Sequence, residues 1–121
     1  MKTRKTRVLH ILQIIAAAGT ILTGVFSLIK PSAVTGFTGL SPLGGRGLTE
    51  IRSVLGGFFI ALGAFPLIVN SPVAYMMLGA AYLGVGLVRA VSMFVDKSVQ
   101  QSNIISLVVE IILGIILVLP L

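Results

Sequence analysis

The sequence predicts an all-α membrane protein, an antiparallel four-transmembrane-helix bundle formed by a single domain over residues 1–121. Hydrophobic residues make up 56% of the chain and charged residues only 10%, whereas soluble domains carry about 25% charged residues. A soluble globule of this composition would lack the polar surface to cover itself. In addition, four apolar stretches are each long enough to cross a hydrocarbon core of about 30 Å.

The four predicted spans cover residues 8–29, 48–69, 73–95 and 103–121. The first follows a basic segment and contains three alanines in a row, as signal peptides do, but its apolar run continues to Ile29 and favours a membrane helix. The loop of residues 30–47 contains Pro31, Pro42 and five glycines, which interrupt helices, and it is long enough to fold over one end of the bundle. The connection at residues 70–72 is so short that the second and third spans must form a tight antiparallel hairpin.

The basic residues indicate how the bundle is oriented in the membrane. The first seven residues contain four of them: Lys2, Arg4, Lys5 and Arg7. The loops at the opposite end contain three: Lys30, Arg46 and Lys97. The positive-inside rule therefore predicts that both termini are cytoplasmic, in a multi-pass protein of a bacterial inner (plasma) membrane. No basic face with interleaved aromatic residues follows the N-terminal cluster, so its charge does not indicate a nucleic-acid partner.

Four charged residues lie inside or at the edge of the predicted spans: Glu50, Arg52, Arg89 and Glu110. A charge at mid-membrane costs about 2.5–3.5 kcal/mol on insertion scales, so such side chains usually face the bundle interior and a partner. At a rise of about 1.5 Å per residue, Arg89 and Glu110 are both about 10 Å from the same end of the bundle. We expect an ion pair between them, which Glu50 could join as a second carboxylate. Arg52 lies about 200° around the helix from Glu50 and is expected to reach the interface or to cap the adjoining loop.

Each predicted helix carries one stripe of polar or small residues at helical spacing. The stripes are Gln13, Ala17, Thr20, Gly24 and Ser27 in the first span, Glu50, Ser53, Gly57, Ala61 and Ala64 in the second, Tyr82, Gly86, Arg89, Ser92 and Asp96 in the third, and Asn103, Ser106, Glu110 and Gly114 in the fourth. A bundle that turns these stripes inward exposes large apolar side chains to lipid. Small residues also allow close approach of helices, and we expect four glycines to pack them together: Gly56, Gly57, Gly84 and Gly86.

Residues that carry conventional catalytic chemistry are scarce. The chain contains no cysteine and one histidine, His10, which we expect at the membrane interface. Tyr75 is expected in the interfacial aromatic belt. The sequence contains no Ser/His/Asp set, no cluster of metal ligands and no phosphate-binding loop. It therefore predicts a protein that is not an enzyme, with no catalytic residue, no metal and no cofactor.

Several motifs together resemble a known family. Residues 50–57 follow an E-x-R-x-x-x-G-G pattern, residues 86–89 follow G-x-x-R, and Asp96 and Glu110 come later. Over roughly residues 48–119 the chain resembles an uncharacterised bacterial domain-of-unknown-function family of small four-helix membrane proteins, while its first span is similar only in layout. That family is similar in layout to the DoxX-like proteins, some of which are linked to membrane redox or quinone-associated systems. The resemblance implies that the marked positions are Glu50, Arg52, Gly56, Gly57, Arg89, Asp96 and Glu110.

The charges within the spans support two interpretations. In the first, they form a static ion-pair network that fixes the register of the helices. In the second, they line a polar pocket for a lipid headgroup, a proton or a small solute. The candidate pocket residues are Glu50, Arg52, Arg89, Asp96, Asn103 and Glu110.

We accordingly predict a small non-enzymatic membrane protein that acts as an accessory subunit or binds a small amphipathic, lipid-like ligand. One alternative is a proton or small-solute transporter or channel, and another is a quinone-associated redox accessory protein. The expected partners are the lipid bilayer, a bound lipid or quinone-like molecule, and other membrane subunits or a second copy of the chain.

Overall fold

The computed structural model describes residues 3–120 and contains four long helices. They are α1 (Arg4–Ile29), α2 (Gly44–Val69), α3 (Pro72–Val95) and α4 (Gln101–Val118). Each is long and apolar enough to cross a membrane, and residues 3–120 contain no strand. The prediction of an all-helical chain with four membrane-capable helices is confirmed. Lys2 of the N-terminal basic cluster and Leu121, the predicted end of the fourth span, lie outside the described residues.

The contacts between helices establish an up-down-up-down topology. Gly24 of α1 lies against Gly56, and Ala17, further back on α1, lies against Gly63, so α1 and α2 are antiparallel. The helices α3 and α4 are also antiparallel. Gly79, early in α3, packs on Gly114, late in α4, whereas Arg89, later in α3, binds Asn103 at the start of α4. We call the end formed by residues 30–43 and 96–100 the loop end, and the end that holds the turn at residues 70–71 the hairpin end.

The connections explain where the helices begin and end. Thr3 caps α1, since its Oγ1 accepts a hydrogen bond from the Thr6 N–H at 3.2 Å, and α1 therefore starts four residues before its predicted boundary. At the hairpin end, Asn70 adopts a left-handed conformation with φ 48° and ends α2. The next helix, α3, begins at Pro72, which is tolerated there because the first N–H groups of a helix form no intrahelical hydrogen bond.

The predicted loop at residues 30–47 is largely helical. It contains a 3₁₀ turn at Pro31–Val34 and a helical turn at Thr35–Thr38, and its last four residues already belong to α2. The helical turn contacts α4, and the ring of Phe37 lies 5.7 Å from that of Phe26. The segment therefore folds over the loop end of the bundle, as its length suggested.

Two seams of close backbone contact hold the helices in pairs. In the α1–α2 seam, a Cβ added at Gly63 would lie 2.5 Å from the carbonyl oxygen of Ala17. In the α3–α4 seam, a Cβ at Gly79 would lie 2.7 Å from the Cβ of Leu117 and 2.9 Å from the Gly114 carbonyl oxygen. Only glycine permits such separations, which lets the helices gain van der Waals contact that apolar side chains alone would not provide in lipid.

Two of the four glycines predicted to pack helices do so. A Cβ at Gly56 would contact Leu28, and one at Gly86 would lie 3.0 Å from Ile111 Cδ1. The prediction is wrong for Gly57 and Gly84, because both face outward. A Cβ at Gly57 would approach nothing closer than 3.9 Å, and one at Gly84 would meet nothing within 4 Å.

The inward face of α2 differs from the predicted stripe. Ser53, Gly57 and Ala61 are exposed, and the buried positions are Ile51, Gly56, Gly63 and Pro66. The predicted stripe starts from Glu50, which is exposed and pairs with Arg46, and the π-helical segment Ile51–Phe58 then changes the rotation, because its hydrogen bonds close wider turns than those of an α-helix. The two buried residues of this segment, Ile51 and Gly56, are five positions apart. A stripe drawn with a period of about 3.6 residues therefore drifts away from the α1–α2 seam.

The other three stripes are closer to the structure. All five stripe residues of α1 are buried, and on α4 Glu110 and Gly114 are buried while Asn103 and Ser106 are half-buried. On α3, Gly86 is buried and its neighbours on the stripe are half-buried, up to the exposed Asp96 at the end of the helix.

The hairpin end contains a polar contact that the sequence did not predict. Tyr75 is 1% exposed and belongs to the core rather than to an interfacial belt. The His10 ring meets it edge-on, with ring centroids 5.8 Å apart, and His10 is half-buried. Gln13 donates from Nε2 to the carbonyl oxygens of Ile116 and Leu119, at 3.0 and 3.3 Å, which satisfies acceptors left open at the end of α4.

Gly63→Ala should weaken the α1–α2 seam, because the new methyl group forces the two backbones apart. We expect a loss of about 2 kcal/mol in the free energy of unfolding, measured by denaturant titration in detergent. Gly57→Ala in the same helix is the matched control and should leave stability unchanged. Equal stability of the two variants would contradict the proposed seam.

His10→Phe should stabilise the hairpin end. The Nδ1 atom of His10 is buried without a hydrogen-bond partner among the described residues, and phenylalanine keeps the ring contact with Tyr75 while removing that polar atom. The expected gain is about 1 kcal/mol, read from the same unfolding titration. His10→Ala, which removes the ring as well, should lower stability. A destabilised His10→Phe protein would show that Nδ1 has a favourable partner.

Candidate functional site

An ion pair between α3 and α4 is the centre of the candidate site. Arg89 donates from Nε to Glu110 Oε1 at 2.8 Å and from Nη2 to Oε2 at 2.7 Å. The Glu110 side chain is 11% exposed and that of Arg89 is 30% exposed. Two parallel charge-assisted hydrogen bonds of this kind give an arginine–carboxylate pair both strength and a fixed geometry.

Small residues on both helices allow this pair to form. Gly86 lies three residues before Arg89 on α3, and a Cβ there would be 3.6 Å from the Cβ of Glu110. Gly114 lies four residues after Glu110 on α4 and packs against Leu83. The seam therefore brings the two backbones together on either side of the pair, and the antiparallel arrangement places both side chains at one depth.

Asn103 connects the ion pair to the loop end. Its Oδ1 accepts a hydrogen bond from Arg89 Nη1 at 2.8 Å, and its Nδ2 donates to the Ser98 carbonyl oxygen at 3.0 Å and to Ser98 Oγ at 3.2 Å. The carbonyl oxygen can only accept, so it fixes which side of the Asn103 amide faces the guanidinium. The α3–α4 connection thereby holds the Asn103 oxygen in place for Arg89.

The guanidinium retains capacity to bind a further group. Of its five N–H donors, three are used by Glu110 and Asn103, one each on Nε, Nη1 and Nη2. One N–H on each terminal nitrogen has no partner among residues 3–120. A planar pair of donors of this kind suits a carboxylate or phosphate oxygen.

Arg89 lines a groove of about 610 Å³ between α3 and the α3–α4 connection. Its polar half, towards the loop end, is formed by Arg89, Ser92, Asp96, Ser98 and Asn103. Its apolar half is formed by Gly84, Val85 and Val88, and one further apolar residue, Met93, lies within the polar half between Ser92 and Asp96. Val85 is 49% and Val88 64% exposed on the outer surface of α3, so this half opens sideways towards the membrane. The volume lies within the range of about 300–1,000 Å³ that is usual for small-molecule sites.

A second cavity, of about 140 Å³, lies inside the bundle on the other side of the ion pair. All four helices line it, with Thr20, Phe58, Phe59, Leu62, Leu78, Ala81, Tyr82, Val85 and Glu110. Thr20 uses its only hydroxyl proton on the Ala16 carbonyl oxygen, so the Tyr82 hydroxyl donates to Thr20 Oγ1. Val85 lines both the groove and this second cavity. Glu110 lines the second cavity and binds Arg89, which lines the groove.

The structure separates Glu50 from the other candidate residues. The Glu50 carboxylate pairs with Arg46 one turn earlier on α2, and both side chains are largely exposed. The expectation that it could join Arg89 is wrong, because α2 packs mainly on α1 and because Arg46 offers a partner on the same helix. Arg52 donates from Nε to the Leu28 carbonyl oxygen at 3.3 Å, near the end of α1, as expected for a residue that caps this region.

Asp96 ends α3 and is exposed at the rim of the groove. It forms no ion pair within the described part of the chain. Six residues that line the groove were not among the predicted pocket residues: Gly84, Val85, Val88, Ser92, Met93 and Ser98. Ser98 carries no signal of its own, since its role depends on the turn that places it beside Asn103, and Gly84 was assigned to helix packing although it lines the groove.

The fold and the site define an all-helical protein with four apolar helices that fit a multi-pass membrane protein. The chain belongs to the family Domain of unknown function (DUF4345), whose model matches residues 8–121. The match includes the first span, which the motifs alone had left as a similarity of layout. No curated protein and no solved structure matches the chain.

Arg89→Leu should destabilise the protein, because Glu110 would remain buried without a counter-charge. We expect a loss of about 3 kcal/mol, the lower part of the range for broken buried pairs, since the guanidinium is partly exposed. Adding Glu110→Leu should restore most of the loss. The measurement is denaturant unfolding in detergent, with Arg52→Leu as a control that removes an arginine with no carboxylate partner. If the single Arg89 variant unfolded like the parent, the pair would have no structural role.

Proposed function

We propose that this protein is a non-enzymatic membrane protein that binds a lipid-like amphipathic molecule in the groove between α3 and the α3–α4 connection. The observation that carries the proposal is that the polar residues of the groove lie towards the loop end, whereas Gly84, Val85 and Val88 lie further along α3 from that end. A lipid has the same order of groups along its length. The groove can therefore receive a headgroup at the depth where headgroups occur and acyl carbons where the bilayer is apolar.

The polar half offers hydrogen bonds that are already oriented. Glu110 and Asn103 hold the guanidinium of Arg89 from two directions, which leaves its remaining N–H donors fixed beside the groove. Little conformational freedom is lost when such a group binds a ligand, and preorganisation of this kind favours affinity. The hydroxyl groups of Ser92 and Ser98 supply further donors on the same lining.

The apolar half depends on the absence of a side chain at Gly84. Its surroundings are open, so the residue contributes free volume rather than helix contact. Beside it, Val85 and Val88 present methyl groups that acyl carbons can cover. This supports a ligand with at least one flexible apolar tail.

We also propose that the loop end faces away from the cytoplasm of a bacterial cell. Arg4, Lys5 and Arg7 lie at the hairpin end without an acidic residue nearby in sequence. The N-terminal segment carries four basic residues, and the connections at the loop end carry three, Lys30, Arg46 and Lys97. This excess supports a cytoplasmic hairpin end, and the groove then receives its ligand from the outer leaflet.

Gly84→Leu should abolish binding of the ligand, because the new side chain occupies the apolar half of the groove, and its Cβ has no protein atom within 4 Å. Native mass spectrometry of the protein purified in mild detergent should show a retained lipid in the parent and its loss in the variant. Gly19→Leu is the matched control, since Gly19 of α1 also has open surroundings but lies outside the groove. Equal retention by both variants, or no retained lipid in the parent, would overturn the proposal.

A further inference from the structure

We infer that the preferred occupant of the groove has a zwitterionic headgroup, with an anionic phosphate for Arg89 and a cationic amine for Asp96. The inference rests on the proposed function and names the class of its ligand. An amine-bearing phospholipid such as phosphatidylethanolamine has this chemistry.

The polar half favours a ligand that carries a hydrogen-bond acceptor for the free N–H donors of Arg89 and a positive charge for Asp96. The positive charge of Arg89 is matched by Glu110, to which it is bound through two hydrogen bonds. Asp96 adds a negative charge at the rim that forms no ion pair among the described residues. Lys97 follows it in sequence but is not part of the groove lining and does not pair with it within residues 3–120. The groove thus offers free N–H donors at one level and an uncompensated carboxylate at another.

The spacing on α3 places these two features in order along the groove. Arg89, Ser92 and Asp96 follow at intervals of three and four residues, so they lie on one helical face. With a rise of about 1.5 Å per residue, Asp96 is about 10 Å closer to the membrane surface than Arg89. Because Glu110 and Asn103 hold the guanidinium in place, the headgroup itself spans the distance, with its phosphate at the guanidinium and its amine directed towards the Asp96 carboxylate.

Each feature discriminates against ligands that carry only one charge. An anionic lipid without an amine would place its headgroup beside the Asp96 carboxylate with no compensating cation. A cationic amphiphile without an anionic group would leave the two remaining Arg89 N–H donors covered and unpaired, which costs free energy. Selection therefore comes from unfavourable contacts as well as favourable ones.

The exposed apolar lining indicates a lipid rather than a water-soluble zwitterion. Val85 and Val88 belong to a membrane-capable helix and are open to the surrounding acyl chains. A soluble molecule with the same headgroup would leave this half of the groove without a partner.

The test compares two lipids that share their acyl chains and phosphate but differ in the amine. Delipidated protein in detergent is mixed with equal amounts of dioleoyl phosphatidylethanolamine and dioleoyl phosphatidylglycerol, and native mass spectrometry counts each bound species. We expect the parent to retain the ethanolamine lipid over the glycerol lipid by about threefold, as suits a partly exposed ion pair.

Asp96→Asn should remove this preference while both lipids still bind through Arg89. Asp96→Lys should reverse it, and its positive charge at the end of α3 suits the helix dipole, so folding is retained. Glu50→Gln is the matched control, because Glu50 is an exposed carboxylate at the same end of the protein but outside the groove. This control should keep the preference of the parent.

The outcomes distinguish the inference from the proposed function. If the parent binds both lipids equally and Gly84→Leu removes both, the groove binds lipid and the amine inference is wrong. A preference that survives Asp96→Asn also overturns the inference. Displacement of the lipid by water-soluble phosphoethanolamine would overturn its lipid character. If neither lipid is retained and Gly84→Leu changes nothing, the proposed function itself fails.

Discussion

The ion pair between Arg89 and Glu110 is the interaction on which the arrangement of the loop end depends. The Glu110 side chain is only 11% exposed, and a buried carboxylate of this kind is unstable without the counter-charge of Arg89. The helices that carry them are rigid, and a slip of one helical turn would separate the charges by about 5.4 Å. The pair therefore fixes the axial register of α3 against α4. Through Asn103 and Ser98 the same register positions the connection that closes one side of the groove.

Close backbone contact explains how helices with so few large buried side chains remain together. Lipid tails are as apolar as leucine, so exclusion from water gives no preference for one apolar neighbour over another. The glycine seams provide tight contact between α1 and α2 and between α3 and α4 instead. The inner cavity lies where these two helix pairs meet, because no glycine seam joins the pairs there. Polar groups are consequently confined to the interior and to the ends of the helices.

The parts of the structure that follow regular α-helical geometry could be predicted from the sequence. The depths of Arg89 and Glu110 required only a constant rise per residue, and the buried stripe of α1 required only a constant rotation. The inward face of α2 could not be predicted in this way. The π-helical segment Ile51–Phe58 changes the rotation per residue about the helix axis, and no residue type within it indicates that change.

Small residues and aromatic residues were harder to interpret for another reason. A glycine at seam spacing can face a neighbouring helix or an open groove. Gly86 faces α4, whereas Gly84, only two positions earlier, faces the groove. Tyr75 matched an interfacial position by its place near a helix end, but it is buried in a core cluster with Ala16, Ala17 and Leu117, which only the tertiary fold brings together. The resemblance to a domain-of-unknown-function family is confirmed by the family match over residues 8–121.

The sideways opening of the groove beside Val85 and Val88 determines how any occupant of the proposed kind would arrive and leave. Entry would be a two-dimensional diffusion step within one leaflet, without passage through water and without a hinged cover. Since bilayer molecules are always in collision with this opening, modest affinity is enough for high occupancy. The fraction filled would then follow the composition of the leaflet, and the protein would exchange its occupant whenever that composition changed.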